Sequence, residues 1–322
     1  LYTNRLMSDE TTVNSKITQS VGVLVCIPAY NAESTISEAV KRCQKFADLV
    51  LVINDGSSDN TEFLAKKSGA EVVTHKQNRG YGAAIKTGLI ESLKRSAKIT
   101  ITFDADLQHD ENDIPKLIKP IIDHSADIVI GSRFLQNDDG VKNYRKFGIK
   151  LITTLVNSFM NNSVSDAESG LRAYSLDSLK DLVPLLETEG MGMSSEILLK
   201  SAVCKLKIFE IPRKEMYPDG IKTSSKNPLR HGLSVVFTIL KLIIENKPLK
   251  AFGIPALIFF IASIITSVSV VDYYNAVGRL PLGLTIFTFL LLSTGFFFSL
   301  AAMILYVLSR ISSRVNFNLK TK

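Results

Sequence analysis

The chain has 322 residues, 46 % of them hydrophobic, with a formal net charge of +7 and a mean hydropathy of +0.17. The length exceeds one ordinary domain, and the hydropathy, concentrated in the last quarter of the sequence, speaks against a purely soluble enzyme. Three cysteines, Cys26, Cys43 and Cys204, sit in apolar contexts without metal-ligand or C-x-x-C spacing, which excludes a zinc module and a disulfide scaffold; the basic balance suits nucleic acid, an anionic membrane face or phosphorylated substrates.

Residues 1–20 are polar, lack the apolar core of a signal peptide and read as a flexible tail. From Val21 strands and helices alternate. "VGVLVCI" is the first strand, halted at Pro28, and a helix follows over about 34–46. "LVLVIN" is the second strand, and in "DGSSDNT" Asp59 or Asn60 is placed to cap the next short helix. "AEVVTH" is the third strand; the glycine loop "NRGYG" leads into a helix over 81–95; "ITITF" is the fourth strand. A helix over 112–123 carries Pro115 in its first turns, and "ADIVIGS" is the fifth strand. Strands alternating with helices imply parallel βαβ units, and strands that are apolar throughout imply a sheet covered on both faces.

The stretch from about 134 to 217 is mixed: a helix over 145–160, a polar loop "VSDAESGLRAY", a helix over 193–205 and a strand "KIFEIP". The basic loop "YPDGIKTSSKNPLRHG" leads to an amphipathic helix over 231–246. Two uncharged segments, 251–271 and 280–309, each meet the roughly 20 apolar residues that a bilayer core requires of a helix. Lys241, Lys247 and Lys250 precede them and Arg310, Arg314, Lys320 and Lys322 follow, which places both ends in the cytoplasm. The expected organisation is a tail over 1–20, an α/β domain over 21–230, an interfacial helix over 231–250, two transmembrane helices over 251–309 and a basic cytoplasmic tail over 310–322.

Open α/β sheets bind ligands beyond the carboxyl ends of their strands. Three polar clusters fall there: "PAYN", "NDGSSD" and "DADLQ". Asp104 and Asp106 are two residues apart, so on a strand they aim to one side. Two such carboxylates repel unless a cation lies between them. Hard oxygen donors suit Mg²⁺ or Mn²⁺, and Gln108 can add a carbonyl oxygen. His109, alone, reads as a loop residue.

"IPAYNAESTI", "LVINDGSSDNT", "NRGYGAAIKTG", "FDADLQHDEND", "IGSRF" and "DAESGLRAY" resemble, in order, the motifs of family 2 glycosyltransferases. Within that family they look most like the dolichyl-phosphate mannose synthase and polyprenyl-phosphate glycosyltransferase branch, over about residues 21–245. The resemblance implies a GT-A fold, Rossmann-like with a mostly parallel sheet, and inverting transfer from GDP-mannose or a UDP-hexose to dolichyl or polyprenyl phosphate. It places Pro28, Tyr30, Ile53 and Asp55 around the base and ribose. Asp104 and Ala105 lie along the nucleotide, and Asp106 and Gln108 carry the metal. Arg133 and Lys226 reach phosphates, while Asp166, Ser169 and Arg172 form the loop near sugar and acceptor. The pattern departs at three places: Ala32 replaces a glutamate, leaving Glu33 as its neighbouring substitute; Asn54 replaces an aspartate; and Lys222 stands in for an arginine. A phosphate monoester, with a second pKa of about 6, is already a nucleophile at neutral pH. It needs cations to hold it rather than a base, and Arg133, Arg145, Lys146 and Arg172 are the candidates. The roles expected to be catalytic fall to Asp106, Arg133, Asp166 and Arg172.

Three other readings rank lower. "GYGAAI" mimics a dinucleotide fingerprint, but after the third strand rather than the first. A processive polymer synthase would carry a tryptophan-containing motif, and the chain has no Trp. A non-catalytic membrane scaffold is disfavoured by the intact Asp104, Asp106 and Gln108. The expected partners are a nucleotide sugar, a polyprenyl phosphate and the lipid bilayer, not nucleic acid; a homo-oligomer is allowed for.

Overall fold

The computed structural model describes residues 21–135, 143–160, 163–214 and 248–320, with Met216 and a few positions between 236 and 244. The tail over 1–20, Lys222, Lys226 and most of the expected interfacial helix lie outside the described residues.

Seven strands form one sheet: β1 (Val23–Ala29), β2 (Leu49–Asn54), β3 (Glu71–Thr74), β4 (Ile99–Thr102), β5 (Ile128–Ser132), β6 (Arg172–Ser175) and β7 (Ile208–Pro212), in the order β3-β2-β1-β4-β6-β5-β7. The pairs β1/β2, β2/β3, β1/β4 and β5/β7 are parallel, whereas β6 is antiparallel to both β4 and β5. β6 is a correction to the sequence reading, which took "VSDAESGLRAY" as a loop throughout. Four residues that begin with arginine and end with serine show no apolar run, so the signal on which strand recognition rests is missing.

The sheet is covered on both faces. Val25 and Ile27 of β1 and Val50 and Val52 of β2 pack with α1 (Ile36–Cys43) and with α4 (Ile114–Ile122). Their neighbours Leu24, Cys26, Leu51 and Ile53 point the other way and pack with Ala84 of α3 (Tyr81–Lys94). This alternation is the two-residue period of a strand buried on each side. A short helix α2 (Thr61–Lys67) lies between β2 and β3. α4 begins later than the 112–123 reading, because residues 111–113 form a separate 3₁₀ turn and Pro115 occupies the first turn of the helix proper.

By contacts the chain divides into two compact units. The first holds the whole sheet with α1 to α4 and α6 (Leu176–Leu182). The second holds α5 (Asn143–Asn157), α7 (Met193–Val203) and two long helices, α8 (Pro248–Val277) and α9 (Leu282–Lys320). The turn between α8 and α9 uses Gly278 at φ 71°, a left-handed conformation that glycine adopts without a steric penalty. Phe298 of α9 meets Phe252 and Phe259 of α8 at ring-centroid distances of 5.9 and 5.7 Å. A side chain at Gly295 would press on the Ala256 carbonyl and on two phenylalanines, so glycine there lets the helices approach. Both helices are long and apolar enough to cross a membrane, with mean hydropathies of 2.4 and 2.1 over their best windows. Ile258, Phe289, Phe297 and Met303 are each at least 60 % exposed. So large an apolar surface calls for a cover other than water.

Candidate active site

The loops after β1 and β2 are laced into one rim. Asn31, at φ 50°, donates its backbone N–H to Ser57 Oγ at 2.9 Å and accepts from the Ser58 N–H at 2.9 Å. Ala32 N–H donates to Thr61 Oγ1 at 2.8 Å, and the Glu33 carboxylate accepts from the Asn60 N–H at 2.9 Å. Glu33 therefore braces the neighbouring loop. Asp59, not Asn60, serves the start of α2, accepting from the Thr61 N–H at 3.0 Å. Pro28 and Ile53 are buried partners across β1 and β2, and Tyr30 is left half-exposed on the rim.

Asp55 is buried, and both its oxygens are engaged within the protein. Oδ1 bonds His75 Nδ1 at 2.7 Å and accepts from the Arg79 N–H at 2.9 Å, while Oδ2 accepts from the Gly80 N–H at 2.8 Å. His75 is held in turn by Thr87 Oγ1 at 2.9 Å. The glycine loop before α3 is thus folded back onto Asp55 rather than opened toward a ligand. The Ala83 N–H, in the first turn of α3, donates to the Glu189 carbonyl at 3.0 Å, and Arg79 pairs with the Glu189 carboxylate. A dinucleotide fingerprint would use such N–H groups to cradle phosphates; here three of them already have partners.

The acidic cluster departs from the sequence reading in one respect. β4 ends at Thr102, so Asp104 and Asp106 lie in the turn beyond it instead of on one strand face. Leu107, at φ 61°, reverses the chain, and Asp106 Oδ1 accepts from the Gln108 N–H at 3.1 Å. Asp104 accepts from the Tyr81 hydroxyl at 3.1 Å through Oδ1 and bonds His109 Nε2 at 3.0 Å through Oδ2. Its side chain nonetheless keeps 26 % exposure, so the carboxylate is reachable from one side. Burial pushes the Asp104 carboxyl up; the bonds from His109 and Tyr81 and the nearby Arg213 charge outweigh it and hold it below the ordinary carboxylate value. Tyr81 is pushed well up by burial and by the Asp104 charge, and so stays a hydroxyl donor. Gly170 is required here, because a Cβ would collide with Asp104 Oδ2 and the Tyr81 hydroxyl. Ala105 is buried within the turn.

His109 lies in the loop, as expected, but it is a buried and bonded residue of that loop. It is 2 % exposed, its ring lies edge-on to Phe103 with centroids 5.2 Å apart, and its Nδ1 faces Arg213 Nη1 at 3.0 Å. Arg213, just past β7, also donates through Nε to the Gly131 carbonyl at 3.2 Å. Tyr81, His75, Arg213 and Glu189 enter no site reading from sequence, because their partners are remote in sequence; His109 reads there as a lone histidine, since its link to Arg213 is remote as well.

Arg133 follows β5 and is buried, its guanidinium 5.8 Å from the centroid of the Phe134 ring. Ser169 Oγ donates to the Gly131 carbonyl at 2.6 Å, and Arg172 Nε donates to the Ser169 carbonyl at 2.9 Å. Both side chains are buried, and these bonds fasten β5 to β6 beside the acidic turn. The second unit carries the others. Arg145 is exposed and Lys146 half-exposed on α5. Asp166 is buried and accepts from the Glu168 N–H at 3.3 Å, and Glu168 accepts from Ser195 Oγ at 2.6 Å.

Among the described residues no three His, Cys, Asp or Glu side chains converge on a common point. Two carboxylates and an amide carbonyl still fit Mg²⁺ or Mn²⁺, since such ions take one or two protein carboxylates and complete their sphere with water and substrate phosphates. Each carboxylate oxygen of Asp104 has a second lone-pair direction beyond its bond to Tyr81 or His109.

The Glycosyl transferase family 2 model matches residues 24–183. A UDP-N-acetylglucosamine–dolichyl-phosphate N-acetylglucosaminyltransferase of Methanococcus voltae is 33 % identical over 68 % of this chain and 95 % of its own length. A dolichyl-phosphate hexose transferase of Haloferax volcanii is 26 % identical over 69 % of this chain and 94 % of its own. Glucosyl-3-phosphoglycerate synthase of Mycobacterium tuberculosis, solved with Mn²⁺ and UDP, superposes with a TM-score of 0.54 at 22 % identity, over 69 % of this chain and 80 % of that one. That likeness carries the fold of the sheet domain and no more.

Proposed function

Since the chain belongs to glycosyl transferase family 2, we propose that it moves a sugar, with inversion, from a UDP-linked donor to the phosphate of a polyprenyl phosphate of the dolichyl type. The observation that carries this reading is the pair of relatives matched over 94 % and 95 % of their lengths, both named for dolichyl phosphate. UDP is favoured over GDP by the name of the more similar of the two. The two apolar C-terminal helices fit an acceptor that resides in a bilayer, with the sheet domain on the cytoplasmic side.

In this reading an oxygen of the acceptor phosphate attacks the anomeric carbon as its bond to the UDP diphosphate breaks, and the electron pair leaves with UDP. The nucleophile arrives deprotonated, so no side chain has to act as base. Asp104, Asp106 and Gln108 would hold a divalent cation, which when bound supplies charge neutralisation for the departing diphosphate. Tyr30 offers an open aromatic surface to the base. Arg133 is the cation of the sheet domain proposed for phosphate, while Arg145, Lys146, Asp166 and Lys226 are proposed on sequence resemblance.

The test uses the purified full chain in detergent, labelled UDP-N-acetylglucosamine, UDP-glucose and GDP-mannose, and short prenyl phosphates beside the matching prenols. A UDP-sugar should be transferred to the prenyl phosphate and not to the prenol, and a chelator should abolish the reaction until Mg²⁺ or Mn²⁺ is restored. Equal transfer to prenol, or full turnover in chelator, would overturn the reading.

A further inference from the structure

The acidic turn is tied to the chain that leaves β7. The Met216 N–H donates to the Gln108 carbonyl at 3.0 Å, and Arg213 Nη1 faces His109 Nδ1 at 3.0 Å. The second contact fixes more than a distance. A guanidinium has donors only and keeps its charge at any pH of interest. His109 Nδ1 must therefore be the acceptor, and the ring hydrogen must sit on Nε2, the atom 3.0 Å from Asp104 Oδ2. Arg213 thus selects the one tautomer of His109 that can donate to Asp104, and the edge-on packing of His109 on Phe103 keeps the ring from turning. Asp104 is held from its other oxygen by Tyr81.

We infer that Arg213 and His109 are positioning residues: Arg213 orients His109, and His109 orients the Asp104 carboxylate toward the divalent cation and the donor diphosphate. The inference rests on the proposed function for the identity of that ligand. It assigns roles to Arg213, which lies outside the motifs, and to His109, which lies within one but carries no assigned role there. It also explains why an arginine and a histidine are buried together, at 4 % and 2 % exposure, beside a carboxylate that keeps a quarter of its surface open. Hydrogen-bond partners behind a metal-ligating group typically matter by about 10–100-fold in metal affinity.

The test is Mn²⁺ binding to the full chain in detergent, with UDP present, followed by the loss of the free-ion electron paramagnetic resonance signal and corrected for UDP alone. His109→Phe keeps the ring's packing and removes both nitrogens, and should weaken Mn²⁺ binding by about 10–100-fold. Arg213→Met should weaken it in the same direction, and the double variant should be no weaker than His109→Phe, because Arg213 acts through His109. His109→Gln, whose amide N–H can take the place of Nε2–H, should recover most of the loss, and in that background Arg213→Met should cost little more. A role limited to folding would lower the melting temperature of every variant without this pattern. If His109→Phe fails to fold, the Gln and Met variants and their combination carry the same comparison. Unchanged Mn²⁺ binding in folded variants, or effects that multiply in the double variant, would overturn the inference alone. A wild-type chain that binds no Mn²⁺ with UDP would overturn the functional reading together with it.

Discussion

Asp55 illustrates how far a residue's type and spacing reach, and where they stop. Its motif marks it as a ligand of the nucleotide, yet its carboxylate accepts from two backbone N–H groups and bonds a histidine. None of those partners is closer than 20 residues in sequence, so no local pattern announces them. The geometry yields a distinguishing prediction. An amide at this position presents N–H where the carboxylate accepts, and one part-buried backbone donor is left facing a donor. Asp55→Asn should cost about 1–3 kcal/mol of stability, read as a lower melting temperature in detergent, with little change in KM for the donor among the folded molecules. A raised KM at unchanged melting temperature would instead make Asp55 a direct ligand. His109 is the converse case: a lone histidine in a polar stretch reads as bland, and only the fold brings Arg213 to its other nitrogen.

Elements were legible wherever burial is two-sided and continuous. β1, β2 and β5 announce themselves as apolar runs and β4 as β-branched isoleucines and threonines, and each lies within two or three residues of its expected bounds. β6 escaped because it is short and its identity as a strand comes from its neighbours: it is clasped antiparallel between β4 and β5. The glycines of α3 were legible as a loop and misleading as a phosphate cradle, since Gly88, further along the same helix, serves packing. A Cβ on Gly88 would overlap Cys26 Sγ at the contact between α3 and β1, where both residues are buried. The packed surfaces are a helix and a central strand, both buried, so relief is limited. Gly88→Ala should therefore destabilise by about 1–3 kcal/mol through overpacking, despite the gain in helix propensity. Gly88→Ala combined with Cys26→Ala should recover stability, because the space that sulfur occupied becomes available. A single variant as stable as wild type would show that α3 can slide on the sheet.

At the scale of the molecule, the distribution of charge around the apolar hairpin predicts an orientation. Lys247 precedes α8 and Lys250 lies in its first turn, and Arg310, Arg314 and Lys320 lie at the far end of α9, whereas the opposite end of the hairpin carries one acid and one base, Asp272 in the last turns of α8 and Arg279 in the turn that follows. Positive flanks stay in the cytoplasm, so the turn should face outward and the sheet domain inward. Thiol labelling can read this directly, and the native cysteines interfere little. Burial, with help from the Asp104 charge, pushes the Cys26 thiol up to about 12, and burial also pushes the Cys43 thiol well up, so neither offers a thiolate at neutral pH. Only Cys204, partly exposed on the second unit, has to be replaced by serine. In that background a cysteine placed at Asn275, in the exposed end of α8, should react with an impermeant maleimide added to intact cells, and one at Lys226 should react only after the membrane is opened. Tyr273 and Tyr274, about half exposed beside Asn275, fit an interfacial position of this kind. The reverse labelling pattern would place the sheet domain outside, where nucleotide sugars made in the cytoplasm could not reach Asp104 and Asp106, and the proposed donor would fall with the topology.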